Sequence, residues 1–281
     1  MKEAMFYRLE DGSVHCTLCP HHCKLKDGQT GRCGVRKAFG DKLYSLNYGR
    51  ISAMHIDPIE KKPIIGWMPG SRILSFGSFG CNFHCGFCQN YEISLHVPYT
   101  TEMQPEEIVQ WALDNGLPSI AYTYNEPTIF YEMMYDTAIL AKGKGLKNVM
   151  VTNGFIEEEP LELILDYMDA MNIDLKTYSD EIYRRLGGRS VGHILGTIEK
   201  ASQRCHVEVS ILVVPDVSDD LVEMEHLFKK LSHINSSIIL HISRYFPMYQ
   251  YHQPATDIHV MRALKEIALK YFKRVNLGNV R

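Results

Sequence analysis

Along residues 71–281, short apolar runs alternate with stretches that repeat apolar residues at helical spacing. The apolar runs are rich in β-branched residues and predict strands at residues 73–78, 119–124, 148–152, 171–175, 207–214, 238–242 and 275–277. The amphipathic stretches predict helices at residues 105–115, 127–142, 160–168, 180–186, 193–203, 219–231 and 257–271. This strict alternation of strands and helices predicts an α/β fold with a parallel sheet.

Many of the predicted strands are apolar on both faces, as expected for strands buried between two layers. Six or more strand–helix units favour a TIM-like barrel or partial barrel, in which functional residues gather at the C-terminal ends of the strands. A doubly wound sheet is the alternative. Residues 1–70 are rich in cysteine and glycine, with a predicted β segment near 42–56. We therefore expect a small cysteine-rich N-terminal appendage at 1–70 and a barrel at 71–281.

Composition and charge argue against several classes of protein. The chain has 281 residues, of which 45% are hydrophobic and 22% charged, as in an ordinary globular protein. The net charge of −3 gives no sign of a nucleic-acid-binding surface, and no apolar run is long enough to span a membrane. The N-terminus lacks the apolar core of a signal peptide. We expect a cytoplasmic protein, monomeric by default, in which seven of the eight cysteines are metal ligands rather than disulfides, while Cys205 stands alone as a small apolar residue.

The first predicted strand of the barrel leads into three cysteines, Cys81, Cys85 and Cys88, at the spacing C-x3-C-x2-C. Three thiolates on one loop can hold three irons of a [4Fe–4S] cluster, whereas a cluster that only transfers electrons takes four cysteines. The remaining iron is then open to a ligand that is not protein, as the metal is in a catalytic zinc site. A zinc loop or a pair of redox thiols is the alternative, but zinc sites usually pair their cysteines as C-x2-C knuckles.

A second set of cysteines, Cys16, Cys19, Cys23 and Cys33, has the spacing C-x2-C-x3-C-x9-C. Four ligands make a closed site, which indicates either structural zinc or a fully ligated iron–sulfur cluster. The spacing leaves this second metal open, because three histidines within residues 15–22 could supply mixed ligands. Four reduced cysteines without a metal are the remaining alternative.

The loop Cys81-Asn82-Phe83-His84-Cys85-Gly86-Phe87-Cys88 resembles the signature of the radical SAM enzymes. The resemblance implies that the open iron binds S-adenosylmethionine (SAM). It also implies reductive cleavage of SAM to methionine and a 5′-deoxyadenosyl radical, which abstracts a hydrogen atom from a substrate. The fold it implies is a partial (β/α)6 barrel, and the aromatic Phe87 is expected near the adenine.

The end of the second predicted strand resembles a further motif of these enzymes. Tyr124-Asn125-Glu126-Pro127 stands where Gly-Gly-Glu-Pro is usual, so the two glycines are replaced by Tyr124 and Asn125. The resemblance implies that this turn belongs to the SAM site and that Glu126 holds the methionine ammonium, which suits a carboxylate. A helix N-cap before Pro127 is the alternative.

Three further strand ends resemble those of glycyl-radical-enzyme activating proteins, in which they contact SAM or the substrate. The resemblance implies such a contact for Asn153 in Thr-Asn-Gly. It implies that Lys176 neutralises the SAM carboxylate while Asp174 orients that lysine, and that His241 contacts SAM. A plain ion pair between Asp174 and Lys176, and a structural histidine, are the alternatives.

Almost the whole chain resembles the radical SAM member of the AmmeMemoRadiSam group, which is related to pyruvate formate-lyase activating enzymes. The segments that carry this resemblance are residues 16–23, 31–36, 62–63, 80–94, 122–132 and 278–280. The family is expected to take electrons from a donor such as flavodoxin or ferredoxin, and its open cluster is expected to bleach in air.

Two hypotheses of different class follow. The first is a radical SAM enzyme whose substrate, a glycine of a partner protein or a small molecule, is open. The second is a non-catalytic interaction module that binds zinc or an iron–sulfur cluster. The polar side chains of Glu126, Asp174 and Lys176 argue against the module, since a structural protein does not need polar groups at a barrel mouth.

Overall fold

The N-terminal region forms short antiparallel strands in the computed structural model, which describes residues 1–280. The strands are β1 (Lys2–Glu3), β2 (Tyr7–Glu10), β3 (Ser13–Cys16), β4 (Lys24–Leu25), β5 (Arg36–Phe39), β6 (Lys42–Ser45) and β7 (Arg50–Ile51). They form two three-stranded sheets, β2-β3-β4 and β1-β6-β5, while β7 pairs with the later strand β10 (Thr101–Glu102). The expected cysteine-rich N-terminal region is therefore present.

The main sheet has eight strands. They are β8 (Ala53–Pro58), β9 (Arg72–Gly77), β11 (Ser119–Tyr122), β12 (Lys147–Thr152), β13 (Ala170–Asp174), β14 (His206–Val213), β15 (Ile239–Arg244) and β16 (Val275–Gly278). Their order is β8-β9-β11-β12-β13-β14-β15-β16, with every pair parallel except β8 with β9. Strands that are neighbours in the sheet follow each other along the chain, so the order never reverses as it does in a doubly wound sheet. The expected partial barrel is confirmed.

Helices connect the parallel strands. They are α1 (Tyr91–Ser94), α2 (Pro105–Asp114), α3 (Tyr131–Gly143), α4 (Glu158–Leu165), α5 (Asp180–Arg185), α6 (Val191–Ser202), α7 (Leu221–Asn235) and α8 (Ile258–Ala268). The helix predicted at 219–231 begins at Leu221 because Asp220 is its N-cap and accepts from two backbone N–H groups. The helix predicted at 127–142 begins with a separate 3₁₀ turn, Pro127–Phe130. Within residues 1–280, every helix is too short or too polar to cross a membrane.

Apolar residues cover both faces of the sheet. On the outer face, Leu74 and Phe76 of β9 belong to the large core that the sheet shares with the helices. The inner face carries a smaller cluster of Ile59, Ile64, Ile73, Ala121, Val149 and Ala170. Ile59 and Ile64 come from the segment between β8 and β9, and three of their four strand partners, Ile73, Val149 and Ala170, lie in the first half of their strands. This segment therefore closes the N-terminal end of the barrel and leaves the C-terminal end for chemistry.

A buried ion pair joins the N-terminal region to the barrel. Arg36 Nη2 lies 2.8 Å from Glu132 Oε1 on α3, and the backbone N–H of Met5 donates to the same oxygen at 2.8 Å. Removing one partner of such a pair costs about 3–5 kcal/mol because the other charge is left buried. Strand β8 shows that the main sheet begins before residue 70; the expected division into two domains stays a prediction.

We predict opposite effects of alanine at two glycines. A Cβ on Gly77 would clash with the backbone carbonyl of Thr123, so Gly77→Ala should lower the free energy of unfolding by about 1–3 kcal/mol. Gly196 lies inside α6 with nothing within 4 Å of its missing Cβ, so Gly196→Ala should raise that free energy by up to about 1 kcal/mol. Urea unfolding measures both values, and equal effects would contradict the close approach at Gly77.

Candidate functional site

The loop that carries Cys81, Cys85 and Cys88 follows β9 at the C-terminal end of the barrel. Other elements hold its backbone and side chains. Asn82 Nδ2 donates to Phe155 O at 2.9 Å, after β12. The His84 N–H donates to Leu186 O at 2.8 Å, at the end of α5, and the Gln250 N–H donates to Gly86 O at 2.9 Å. The three cysteines therefore sit on a loop that is tied to three later segments of the chain.

The three thiols are neighbours inside this loop. Burial raises the pKa of Cys81 well above its usual value, and the charges of Glu126, Cys85 and Cys88 add to the effect. Burial also raises the pKa of Cys85 to about 11, although Lys176 acts in the opposite direction. A metal centre would supply the positive charge that such thiols need in order to ionise.

This donor set fits a polynuclear cluster. Cys81 Sγ accepts from the Phe83 N–H at 3.3 Å. Three cysteines on one loop could hold a [4Fe–4S] cluster, because each cysteine of such a cluster binds a different iron and the fourth iron stays open.

Glu126 and Asn153 lie against Cys81. The buried Glu126 carboxylate accepts from Thr152 Oγ1 at 2.6 Å and from the backbone N–H groups of Thr128 at 3.0 Å and Asn153 at 2.8 Å. Burial raises the pKa of Glu126, and these hydrogen bonds act against that rise. Asn153 Nδ2 lies 4.0 Å from Cys81 Sγ. Glu126 is thus the N-cap of the 3₁₀ turn Pro127–Phe130, which is the role given by the alternative interpretation of the sequence. It also lies beside the cysteine loop.

Tyr124 and Asn125, at the positions of the usual glycines, anchor the loop. Asn125 Oδ1 accepts from the Ser78 N–H at 2.9 Å, and its Nδ2 donates to Gly80 O at 3.0 Å. Tyr124 has a φ of 73°, a left-handed conformation that glycine adopts easily. Its phenol donates to Asp57 Oδ2 at 3.0 Å, which offsets part of the strain. A role for either residue in SAM binding stays a prediction.

Asp174 and Lys176 lie on the other side of the cysteines, at the end of β13. Lys176 Nζ is 2.8 Å from Asp174 Oδ2. Burial disfavours the charge on Lys176, but Asp174 and Cys85 outweigh burial and raise the pKa of this lysine above its usual value. The ion pair expected as the plain alternative is therefore present, and it borders Cys85.

His241 lies inside the barrel with both ring nitrogens near protein groups. Nε2 is 2.6 Å from Glu208 Oε2, and Nδ1 is 3.4 Å from Asn276 Nδ2. Glu208 is fully buried, and its other oxygen accepts from the Gly66 N–H at 2.7 Å and lies 2.9 Å from His206 Nε2. Burial raises the pKa of Glu208, but the hydrogen bonds outweigh it and lower the value to about 2.

Glu208 is a site residue that the sequence analysis missed. The available signal was the polar residue at every second position of β14, namely His206, Glu208 and Ser210. Such a pattern in an otherwise apolar strand indicates a polar face, and Ser210 indeed pairs with His241 across the sheet. The inner face of the barrel is therefore polar above the apolar cluster at its base.

Phe87 is buried in an apolar cluster rather than exposed at an opening. Its ring meets that of Tyr251 edge to face at 6.0 Å, next to Val214 and Tyr245. The Tyr245 phenol donates to Tyr251 O at 2.6 Å, and the Tyr251 phenol donates to Pro215 O at 2.7 Å. This packing holds the part of the loop that leads into Cys88, and the expected adenine contact of Phe87 stays a prediction.

The N-terminal cysteines also come together. Cys16, Cys19, Cys23 and Cys33 line one small cavity. Two of the three neighbouring histidines point to carboxylates instead, since His15 is 3.3 Å from Glu10 and His22 is 2.9 Å from Glu157. Whether these four cysteines hold a second metal stays a prediction.

Comparison with known proteins places this geometry in a family. The profile of the Radical SAM superfamily matches residues 76–228, more than half of the chain. The chain is 40% identical over 291 residues to the uncharacterized protein MJ0808 of Methanocaldococcus jannaschii, covering 100% of this chain and 86% of that protein. It is 26% identical over 160 residues to pyruvate formate-lyase 1-activating enzyme of Escherichia coli K12, covering 54% of this chain and 65% of that enzyme.

Among solved structures, SuiB of Streptococcus suis bound to S-adenosylmethionine has a TM-score of 0.56 at 16% identity, covering 70% of this chain. This chain spans about half of that structure, 47% of its length. The chain belongs to the Radical SAM superfamily. The expected relation to pyruvate formate-lyase activating enzymes is confirmed by the similarity to the Escherichia coli enzyme. Membership of the AmmeMemoRadiSam group stays a prediction.

We predict that Glu208→Gln destabilises the protein in a pH-dependent way. The variant loses the charge-assisted bonds to two histidines, so its free energy of unfolding near neutral pH should be about 1–3 kcal/mol lower. The folded pKa of about 2 lies below the usual 4.5, so this stabilisation is complete above pH 4.5 and is lost as the pH falls toward 2. Urea unfolding at several pH values measures the difference, which should not change with pH if Glu208 carries no charge.

Proposed function

We propose that this protein binds a [4Fe–4S] cluster through Cys81, Cys85 and Cys88, with SAM on the open iron, and starts a radical reaction on a substrate. The observation that carries the proposal is the convergence of strand ends on the three cysteines. Asn153 lies 4.0 Å from Cys81 Sγ and donates its N–H to Glu126, while the ion pair of Lys176 with Asp174 borders Cys85. When bound, the reduced cluster supplies the electron that cleaves SAM to methionine and a 5′-deoxyadenosyl radical.

The polar groups around the cysteines have charges that suit the methionine end of SAM. Lys176 keeps its positive charge and can pair with the carboxylate, while Asp174 holds the lysine in place at 2.8 Å. The Glu126 carboxylate can pair with the ammonium from the opposite side, and Asn153 adds an amide near Cys81. His241 would add a contact from within the barrel, where Glu208 sets the orientation of its ring.

For the substrate, we propose a glycine of a partner protein. The similarity to pyruvate formate-lyase 1-activating enzyme supports a protein target. A small molecule in the polar barrel is the second candidate, favoured by the buried Glu208–His241 pair and the unpaired Ser210 hydroxyl on the inner face. We further propose a cytoplasmic enzyme of the AmmeMemoRadiSam group that takes electrons from flavodoxin or ferredoxin. Membership of the Radical SAM superfamily favours an enzyme over the metal-binding interaction module.

SAM cleavage tests the proposal directly. We expect anaerobically reconstituted, dithionite-reduced protein to form 5′-deoxyadenosine from SAM. The variant with Cys81→Ala, Cys85→Ala and Cys88→Ala should form none, because it lacks the ligands of the open cluster. Cys205→Ala is the matched control and should keep the activity, since this cysteine lies in the turn before β14.

Two results would contradict this function. One is 5′-deoxyadenosine formation by the triple alanine variant at the rate of the unchanged protein. The other is the absence of SAM binding by protein that carries a full [4Fe–4S] cluster. Binding is measured by the change that SAM causes in the electron paramagnetic resonance (EPR) spectrum of the reduced cluster, so the test does not require the substrate.

We predict that Lys176→Gln weakens SAM binding. Loss of one charge-assisted hydrogen bond should raise the Kd for SAM by about tenfold to a hundredfold. Lys147→Gln is the matched control, because Lys147 also lies 2.8 Å from an aspartate but at the opposite end of the barrel, and its Kd should not change. Titration of the reconstituted cluster with SAM gives both values. Equal Kd values for the two variants would remove Lys176 from the SAM site.

A further inference from the structure

The four N-terminal cysteines form a closed group that the proposed reaction does not use. Cys16, Cys19, Cys23 and Cys33 line one cavity together with Leu18 and Ile129, so the site has four sulfur donors and an apolar wall. Cys16 and Cys19 are buried. Gly31 brings the chain close to Cys23, since a Cβ there would lie 3.5 Å from Cys23 Sγ. The four cysteines, which are up to seventeen residues apart in the sequence, thus surround one cavity.

Arg36 provides an independent sign that a hydrogen-bond acceptor fills this space. Its side chain is 2% exposed and lines the same cavity. The Nη groups are used by Glu132, at 2.8 Å, and by the Met5 carbonyl. The Nε–H is buried and has no acceptor among residues 1–280. A buried N–H without an acceptor is costly, so an acceptor is expected in the cavity.

The spacing of the cysteines and the buried Arg36 N–H favour a cluster over a single ion. The spacing C-x2-C-x3-C-x9-C has one C-x2-C knuckle, whereas zinc sites usually have two. The sulfurs of an iron–sulfur cluster accept hydrogen bonds, so a cluster also supplies the acceptor that the Arg36 Nε–H lacks.

We propose that Cys16, Cys19, Cys23 and Cys33 ligate a second iron–sulfur cluster, with the Arg36 Nε–H donating to one of its sulfurs. Four protein ligands close the coordination of this cluster, so it does not bind SAM. Because hydrogen bonds to sulfur help to set the reduction potential, Arg36 tunes the cluster as well as pairing with Glu132.

The proposed cluster lies directly behind the radical SAM loop. A Cβ on Gly80, the residue before Cys81, would lie 2.7 Å from the carbonyl oxygen of Cys33. His21, which also lines the cavity, has its Nε2 2.8 Å from Asn82 O in the same loop. The two sets of cysteines are therefore in contact through backbone, and loss of the second cluster should disturb the first.

The test uses protein from which the first cluster has been removed. We expect the Cys81→Ala, Cys85→Ala, Cys88→Ala variant, purified without oxygen, to retain roughly four iron and four sulfide per chain if the second centre is a cubane. Its reduced form should give an EPR signal that SAM does not change. Stoichiometric zinc without sulfide, or no metal, would overturn the proposal. Neither result would bear on SAM cleavage by the unchanged protein, so the two proposals fail separately.

Variants in that background locate the ligands. Adding Cys33→Ala should abolish the sulfide and iron that remain, whereas Cys205→Ala should leave both unchanged. Iron retained after Cys33→Ala and also after Cys19→Ala would show that these residues are not ligands and would overturn the proposal.

The proposed hydrogen bond from Arg36 to the second cluster is tested by a separate measurement. In the triple variant labelled with ¹⁵N-arginine, pulsed EPR of the reduced cluster should detect one strongly coupled arginine nitrogen. Arg36→Lys keeps the charge beside Glu132 but removes Nε, and should shift the midpoint potential of the retained cluster to more negative values. Absence of any coupled arginine nitrogen would overturn the assignment of Arg36, even if Arg36→Lys failed to fold.

Discussion

The position of the cysteine loop depends on two hydrogen bonds from one side chain. Asn125 accepts from the Ser78 N–H and donates to Gly80 O, where strand β9 has ended and a neighbouring strand no longer pairs with it. Buried backbone groups must find partners, and here the amide of Asn125 takes the place of a strand. This pairing sets the direction in which Cys81 leaves the sheet. It also explains why Asn125 occupies a position where a glycine is usual, since its side chain performs a structural task.

Other charged groups of the site are held by pairing within the barrel. Glu208 accepts from the backbone segment that closes the base of the barrel, so the same carboxylate orients His241 and fixes that segment. Asp57 binds Lys62 at 2.7 Å and the phenol of Tyr124 at 3.0 Å. Fully paired networks of this kind are rigid, because any movement would leave a buried charge without a partner. The Glu208 and Asp57 carboxylates and their partners are therefore preorganised before any ligand binds.

The N-terminal region also packs against the barrel and the cysteine loop. The buried Arg36–Glu132 pair connects it to α3, and Cys33 touches the loop at Gly80. Gly80 has a φ of 87° and leaves no room for a side chain, so the close approach requires glycine for two reasons. A change at the N-terminal cysteines can therefore reach Cys81 through backbone contacts alone.

The sequence by itself determined the alternation of strands and helices in residues 71–281 and the boundaries of the seven strands predicted there to within two residues, as in the predicted 148–152 and the observed Lys147–Thr152. Apolar runs interrupted by polar and glycine-rich turns are local signals, so they can be found without knowing the fold. The three-cysteine spacing and the superfamily were likewise visible, because the ligands lie on one loop.

Only the tertiary structure decided which charges are paired and what the remaining side chains contact. Glu208 meets His241 because β14 and β15 are neighbours, and Phe87 packs on Tyr251 because a segment 164 residues later folds over the cysteine loop. The same is true of Arg36, whose partner Glu132 lies 96 residues away. These contacts depend on which distant segments the fold brings together. Residue patterns within a short stretch of sequence do not specify which distant segments will meet.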